Sequence, residues 1–199
     1  RDAVIEMGPG AGDGTAYAQI DFAGLRIGAG NRLVIRAGGN NQVVVLNNTG
    51  PDPVVIEGQL YADGKFGSTF SYDAPRVHLH SPAGIVVADT GRIVAMRGLV
   101  LDALGDTGWS TGREVWNDGN VDGAGVLDVM GAGIHGGGFF RADAVALRTF
   151  GNANNPVNGA RYLANSLTLA PSQWTAQSDA KRIAVLLNGY GAAPQVFNV

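Results

Sequence analysis

Val77–Val100 reads VHLHSPAGIVVADTGRIVAMRGLV. Three short apolar runs, VHLH, GIVVA and RIVAM, are separated by SPA and DTG, and GLV opens a fourth. Branched side chains dominate the runs and favour an extended backbone. Glycine, proline and Asx residues sit in the gaps, where turns need them. The stretch therefore reads as successive short strands joined by tight corners. His78 and His80 stand two apart, so on a strand they share one face.

The same grammar extends in both directions. Further strands are expected at Tyr17–Phe22, Arg32–Arg36, Gln42–Leu46, Val54–Glu57, Arg76–His80, Gly84–Val87, Arg92–Met96 and Leu99–Ala103. The series continues at Val126–Val129, Phe139–Leu147, Ser166–Ala170 and Arg182–Leu187. Ser178–Leu187, SDAKRIAVLL, carries the best helix signal, but the Asn188-Gly189 turn after it favours a strand. A β-sandwich would show clean polar–apolar alternation. VVVL at Val43–Leu46 and GIVVA at Gly84–Ala88 alternate only weakly. Strands recur about every ten residues, as stacked coils of about 20–25 residues require. The expected fold is all-β, a parallel β-helix in one domain over 1–199, with a sandwich or jelly roll as the alternative. Loop excursions are expected at 105–125 and 151–159, and a flexible or tightly packed corner at 131–138.

Composition narrows the function classes. Glycine supplies 31 of 199 residues and charged residues only 16%, against about 25% in ordinary globular chains. The net charge is −3 and no basic stripe forms, which argues against nucleic acid. No apolar run reaches the roughly 18 residues of a membrane helix. Without cysteine there is no disulfide, thiolate nucleophile or thiolate metal site. The chain starts at Arg1 rather than Met, as it would after removal of a secretory signal peptide.

Val43–Gly50 (VVVLNNTG), Pro53–Gly64 (PVVIEGQLYADG), Val77–Ile85 (VHLHSPAGI) and Gly98-Leu99-Val100 together carry a resemblance. They are similar to the amino-terminal two-partner-secretion domain of filamentous-haemagglutinin-type exoproteins. That family shows an Asn turn ending in Thr-Gly, an I-x-G-x-L-x-A-x-G segment and an Asn-Pro-Asn-Gly-Ile turn. The resemblance implies a right-handed parallel β-helix with an amino-terminal cap, export across the outer membrane and a surface role such as adhesion. It assigns structural turns to Asn48, Gly50, Gly58, Gly64, Ser81, Pro82, Gly84 and Gly98. Ser81 and Ala83 replace the family's two turn asparagines, and the similarity spans roughly Phe22 to Leu104.

Site chemistry is sparse. The histidine pair would need a third ligand for zinc or copper, Asp73 or Asp89 by sequence, and otherwise reads as two outward-facing histidines. His135, in a glycine-rich run, reads as a corner filler. Asn117–Gly123, NDGNVDG, offers clustered oxygens as calcium loops do, but lacks their closing Glu, and Asx turns explain it as well. The best groove lies between Trp109 and Asp122. Trp109, Trp116, Asp118 and Asp122 are its candidate glycan contacts, with Asp102, Asp106, Glu114 and Asp128 as further acids. No catalytic, cofactor or metal residues are expected, and no enzyme.

A stack of coils leaves unpaired strands at its ends. Residues 1–24 and 173–199 are expected to cap it or to assemble it with neighbours. The expected protein is a secreted bacterial surface component, structural and adhesive, with a self-assembling fibre or anchor subunit as its most specific form. Its expected partners are copies of itself, other surface proteins, an outer-membrane transporter or an extracellular polysaccharide. The alternatives are a carbohydrate-binding or polysaccharide-cleaving β-helix and the export-recognition domain of a two-partner secreted adhesin.

Overall fold

The structure is a computed structural model. It describes residues 1–7, 17–37, 43–63, 75–105, 113–149, 157–164, 166–169, 174–178, 184–187 and 195–198. Among them are 22 strands and no helix. The strands form three parallel rows, each strand through β14 pairing with the one three further along the chain. The first row stacks β1 (Asp2–Met7), β4 (Arg32–Ala37), β7 (Gln59–Asp63), β10 (Arg92–Ala95), β13 (Asn120–Asp122) and β16 (Phe139–Arg141). The second stacks β2 (Tyr17–Phe22), β5 (Val43–Asn48), β8 (Arg76–His80), β11 (Leu99–Asp102), β14 (Val126–Gly131), β17 (Ala144–Thr149), β19 (Ser166–Leu169) and β21 (Ala184–Leu187). The third stacks β3 (Arg26–Ile27), β6 (Val54–Ile56), β9 (Ile85–Val87), β12 (Val115–Asn117) and β15 (Ile134–His135).

β18 (Val157–Leu163) joins two rows. Its start faces β15, with Ile134 opposite Val157, and its end faces β16, with Phe139 opposite Arg161. β20 (Trp174–Ser178) pairs with β18. β22 (Gln195–Asn198) lies antiparallel on β21 and breaks the parallel pattern.

The side-chain period explains the core. In the first row Leu33, Leu60, Ile93, Val121 and Phe140 stack in register. In the second, Leu46, Leu79, Leu101, Val129 and Leu147 form one column, and Val44, Val77, Leu99, Leu127 and Val145 another. In the third, Val54, Ile85, Val115 and Ile134 stack likewise. Nearly all of these are fully buried, and each contributes about 1.5–3 kcal/mol of apolar burial. Like side chain sits on like, which holds a one-residue slip in check: a slip would turn each column outward.

Repeat length varies while register holds. Asn120 faces Phe139, whereas Gln59 faces Arg92 across a much longer span of chain. The extra residues fall between strands, which widens the expected range of coil lengths. The corner from the third row into the first is built on glycine. A Cβ on Gly58 would lie 2.2 Å from the Asn31 carbonyl oxygen, and one on Gly119 would lie 2.2 Å from that of Gly91. One on Gly91 would lie 2.1 Å from the Ile56 carbonyl oxygen, and one on Gly138 would lie 2.3 Å from that of Gly119. Backbone bonds step through this corner: Arg92 N–H to Gly58 O at 2.8 Å, Asn120 N–H to Gly91 O at 3.0 Å, and Phe139 N–H to Gly119 O at 2.8 Å.

The corner between the second and third rows is polar inside. Asn48 is buried and uses its amide fully. It donates to Asp52 O at 2.7 Å and Ser81 Oγ at 2.9 Å, and accepts from Gly24 N–H at 2.9 Å and Gly50 N–H at 3.1 Å. Ser81 therefore occupies the turn as a buried hydroxyl stacked on Asn48. Pro82 is half-buried in the following turn, and Gly84 closes it with φ at 110°. Gly98 precedes β11, and Gly64 lies outside the described residues.

Several expectations need correcting. The segment 105–125, expected as a loop excursion, contains β12 and β13, whose Val115 and Val121 are buried. Two inward valines suffice there because the neighbouring rungs already fix the register. The corner expected at 131–138 holds β15, and Phe139–Leu147 is two strands broken at Ala142-Asp143. Residues 1–24 contribute β1 and β2, each the end member of its row among the described residues.

Candidate functional site

The outer face of the second row carries a polar cluster of two histidines and an aspartate. Register places Asn47, His80, Asp102 and Met130 in one outward line, and Val45, His78, Val100 and Asp128 in the next. His78 and His80 share a face because they are two apart on β8. Asp102 comes from β11, directly opposite His80. Its Oδ2 lies 3.2 Å from His78 Nε2 and 3.2 Å from His80 Nδ1. The imidazoles stand nearly perpendicular, at 79°, so different ring nitrogens converge on one oxygen. The other oxygen, Oδ1, accepts the Leu104 N–H at 2.9 Å, which fixes the carboxylate in place.

Burial of the Asp102 carboxyl opposes its charge. The hydrogen bonds from His78, His80 and the Leu104 backbone outweigh that cost and hold its pKa well below the ordinary value of 3.8. Asp128, on the next rung, shifts the other way. Its burial comes first, and the negative Asp102 nearby adds to it, against the lowering effect of Arg148. Arg148 Nε lies 3.1 Å from Asp128 Oδ1. That oxygen is nonetheless buried without a hydrogen bond, so the two groups are close but out of line.

The depressed pKa of Asp102 makes a pH prediction. A carboxyl whose folded pKa is lowered stabilises fully above its unfolded pKa, about 3.9, and loses that contribution as pH falls through the folded value. Asp102→Asn should therefore lower the unfolding midpoint at pH 6, and the gap to the parent should close progressively below about pH 4. Urea titrations at stepped pH read this. A gap of constant size down to the acid limit would contradict it.

A second constellation lies on the outer face of the third row. Register lines up Val55, Val86, Trp116 and His135. Trp116 is 43% exposed and stacks on His135 with ring centres 4.8 Å apart. Its Nε1–H donates to Glu114 at 3.0 Å, and the other Glu114 oxygen lies 3.5 Å from His135 Nε2. An open groove of about 440 Å³ borders Pro53, Gly84, Val86, Arg113, Glu114 and Trp116.

The residues expected between Trp109 and Asp122 do not all meet. Trp116 and Glu114 line this groove, and Trp109 and Asp106 lie outside the described residues. Asp118 is exposed and accepts the Gly137 N–H at 3.0 Å. Asp122 belongs to the first row, beside Arg92, Asn120 and Arg141, and accepts the Ala124 N–H at 3.1 Å. Asn117 is buried, donating to Phe139 O and accepting from Gly119 N–H. The oxygens of Asn117, Asp118 and Asp122 thus serve backbone amides in turns. Of the acids suggested for the histidine pair, Asp89 is exposed in a turn, with Oδ1 on the Thr90 N–H, and Asp73 lies outside the described residues. Asp102 is the third member, which only the repeat register reveals. His135, expected to fill a corner, instead stacks on Trp116.

Fold and site together define an all-β protein of stacked parallel strands with polar clusters on its outer faces. Comparison with family models, with curated proteins and with solved structures finds no match.

Proposed function

We propose that the chain is a right-handed parallel β-helix acting as a structural and adhesive component of a bacterial cell surface, reached by secretion. The supporting observation is that, among the described residues, the first repeat has a paired neighbour on one side only. β1, β2 and β3 are all terminal members of their paths in the sheets. An unpaired edge offers backbone donors and acceptors to another chain. None of these strands holds the proline or lysine that commonly blunts an edge. Val4 is 44% exposed on β1. Strand addition from this edge to the far end of another copy would build an open series where the rotation between copies does not close a ring. An adhesive surface fibre or anchor follows from such a series, and the filamentous-haemagglutinin resemblance points the same way. An outer-membrane transporter would then be the export partner.

The Trp116 groove supports a second reading, an extracellular polysaccharide as ligand. An exposed indole offers a flat apolar face to a sugar ring, with Glu114 and Arg113 placed to hydrogen-bond its hydroxyls. One experiment separates the two. Light scattering and electron microscopy over a hundredfold concentration range should show regular assemblies, suppressed by Val4→Lys in β1. Monomers throughout, with tryptophan fluorescence that responds to oligosaccharides, would replace the fibre reading with the glycan one.

A further inference from the structure

We infer that His78, His80 and Asp102 form a binding site for a first-row divalent transition ion, with Zn²⁺ as the ion the donors fit. The three donor atoms, His78 Nε2, His80 Nδ1 and Asp102 Oδ2, all lie within 4.8 Å of one another. Two of the separations are 3.2 Å. Ligands about 2.0–2.1 Å from a tetrahedral zinc stand roughly 3.3 Å apart, which the two His–Asp separations already match. Two imidazoles and a carboxylate form a donor set that zinc uses when a position is left for water or an outside donor.

The supporting shell is in place. Leu104 N–H holds the non-ligating oxygen of Asp102, the outer contact that orients a metal-binding carboxylate. Both histidines and the aspartate stand on paired strands rather than loops, so their spacing is set by the sheet. On the next rung, Asp128 is paired with Arg148 at 3.1 Å, so the site's own charge comes from Asp102. Hard ions fit poorly: calcium takes six to eight oxygen ligands and this site offers few. Bound zinc would staple β8 to β11, two adjacent repeats. The site does not depend on whether the chain self-associates.

The test uses the whole chain free of any polyhistidine tag, with Zn²⁺ and Co²⁺ as probes. Calorimetry should show one Zn²⁺ per chain, with binding opposed by protons because a ligating imidazole must be neutral. Zn²⁺ should also raise the melting temperature. Co²⁺ should give visible absorption bands of a low-coordinate N/O site, displaced by Zn²⁺. His78→Ala and His80→Ala should each weaken binding by more than the roughly 10–100-fold loss typical of removing an outer-shell partner. His135→Ala should leave binding unchanged. Circular dichroism on each variant confirms folding, and the cobalt spectrum needs no variant at all. Absence of cobalt bands in the parent, or zinc binding that survives both histidine changes, would overturn the inference.

Discussion

Gly91→Val should break the stack at the corner between β9 and β10. The new Cβ would lie 2.1 Å from the Ile56 carbonyl oxygen and 2.9 Å from that of Ala88. Both obstacles are backbone, so no rotamer change relieves the clash. The carbonyls are also committed: Ile56 O accepts the Ala88 N–H, Ala88 O accepts the Gly91 N–H, and Gly91 O accepts the Asn120 N–H. Moving any of them breaks a rung. The expected loss is about 4 kcal/mol or more, in the range reserved for backbone disruption and severe overpacking. Gly137→Ala is the matched control, since a Cβ there meets nothing within 4 Å. It should change stability by less than about 0.5 kcal/mol. Denaturant titration followed by circular dichroism reads both. A folded Gly91→Val protein with a parental midpoint would show that the corner can open.

The second large effect is expected at Asn48. Its side chain satisfies Gly24 N–H, Gly50 N–H, Asp52 O and Ser81 Oγ together. Asn48→Ala strips partners from all four, of which the Ser81 bond is buried and the other three are partly buried, and a fully buried orphan costs about 1–3 kcal/mol. Relaxation and water entry recover part of that, so the expected destabilisation is about 3–5 kcal/mol. Ser81→Ala removes only one acceptor and should cost about 1 kcal/mol. If the two substitutions proved equally mild, water would be replacing the amide and the corner would be wet.

The strands were legible where apolar runs were long enough to show a pattern. Tyr17–Phe22 and Arg76–His80 emerge at the expected bounds. The shortest strands were not, because Arg26–Ile27, Asn120–Asp122 and Ile134–His135 each offer one buried side chain and no period. They are strands because the rungs on either side present matching donors and acceptors. The same reason hid the candidate site. His78 and His80 announce a shared face by spacing alone, but Asp102 stands a whole repeat further along the chain and joins His80 only through register. Sequence spacing instead nominated Asp73 and Asp89. Trp116 was legible as an exposed aromatic, whereas its partner His135 again required the register. The glycine corner was half visible: Gly58 stood out through its motif, while Gly91, Gly119 and Gly138 looked like ordinary turn residues.

Variable repeat length with fixed register bears on how the chain acquires its structure. Each rung touches mainly the rung before and the rung after, whether the span between them is short, as from Asn120 to Phe139, or long, as from Gln59 to Arg92. Ordering can therefore start at any pair of adjacent rungs and spread outward, each added rung templated by the last. Loop closure grows only logarithmically with length, so the longer repeats delay this spread little. A chain emerging end first, from a ribosome or through a pore, has what it needs to lock each rung as soon as it clears. Stability then accumulates rung by rung, and a lesion in the middle splits the array into two shorter ones instead of weakening every part equally.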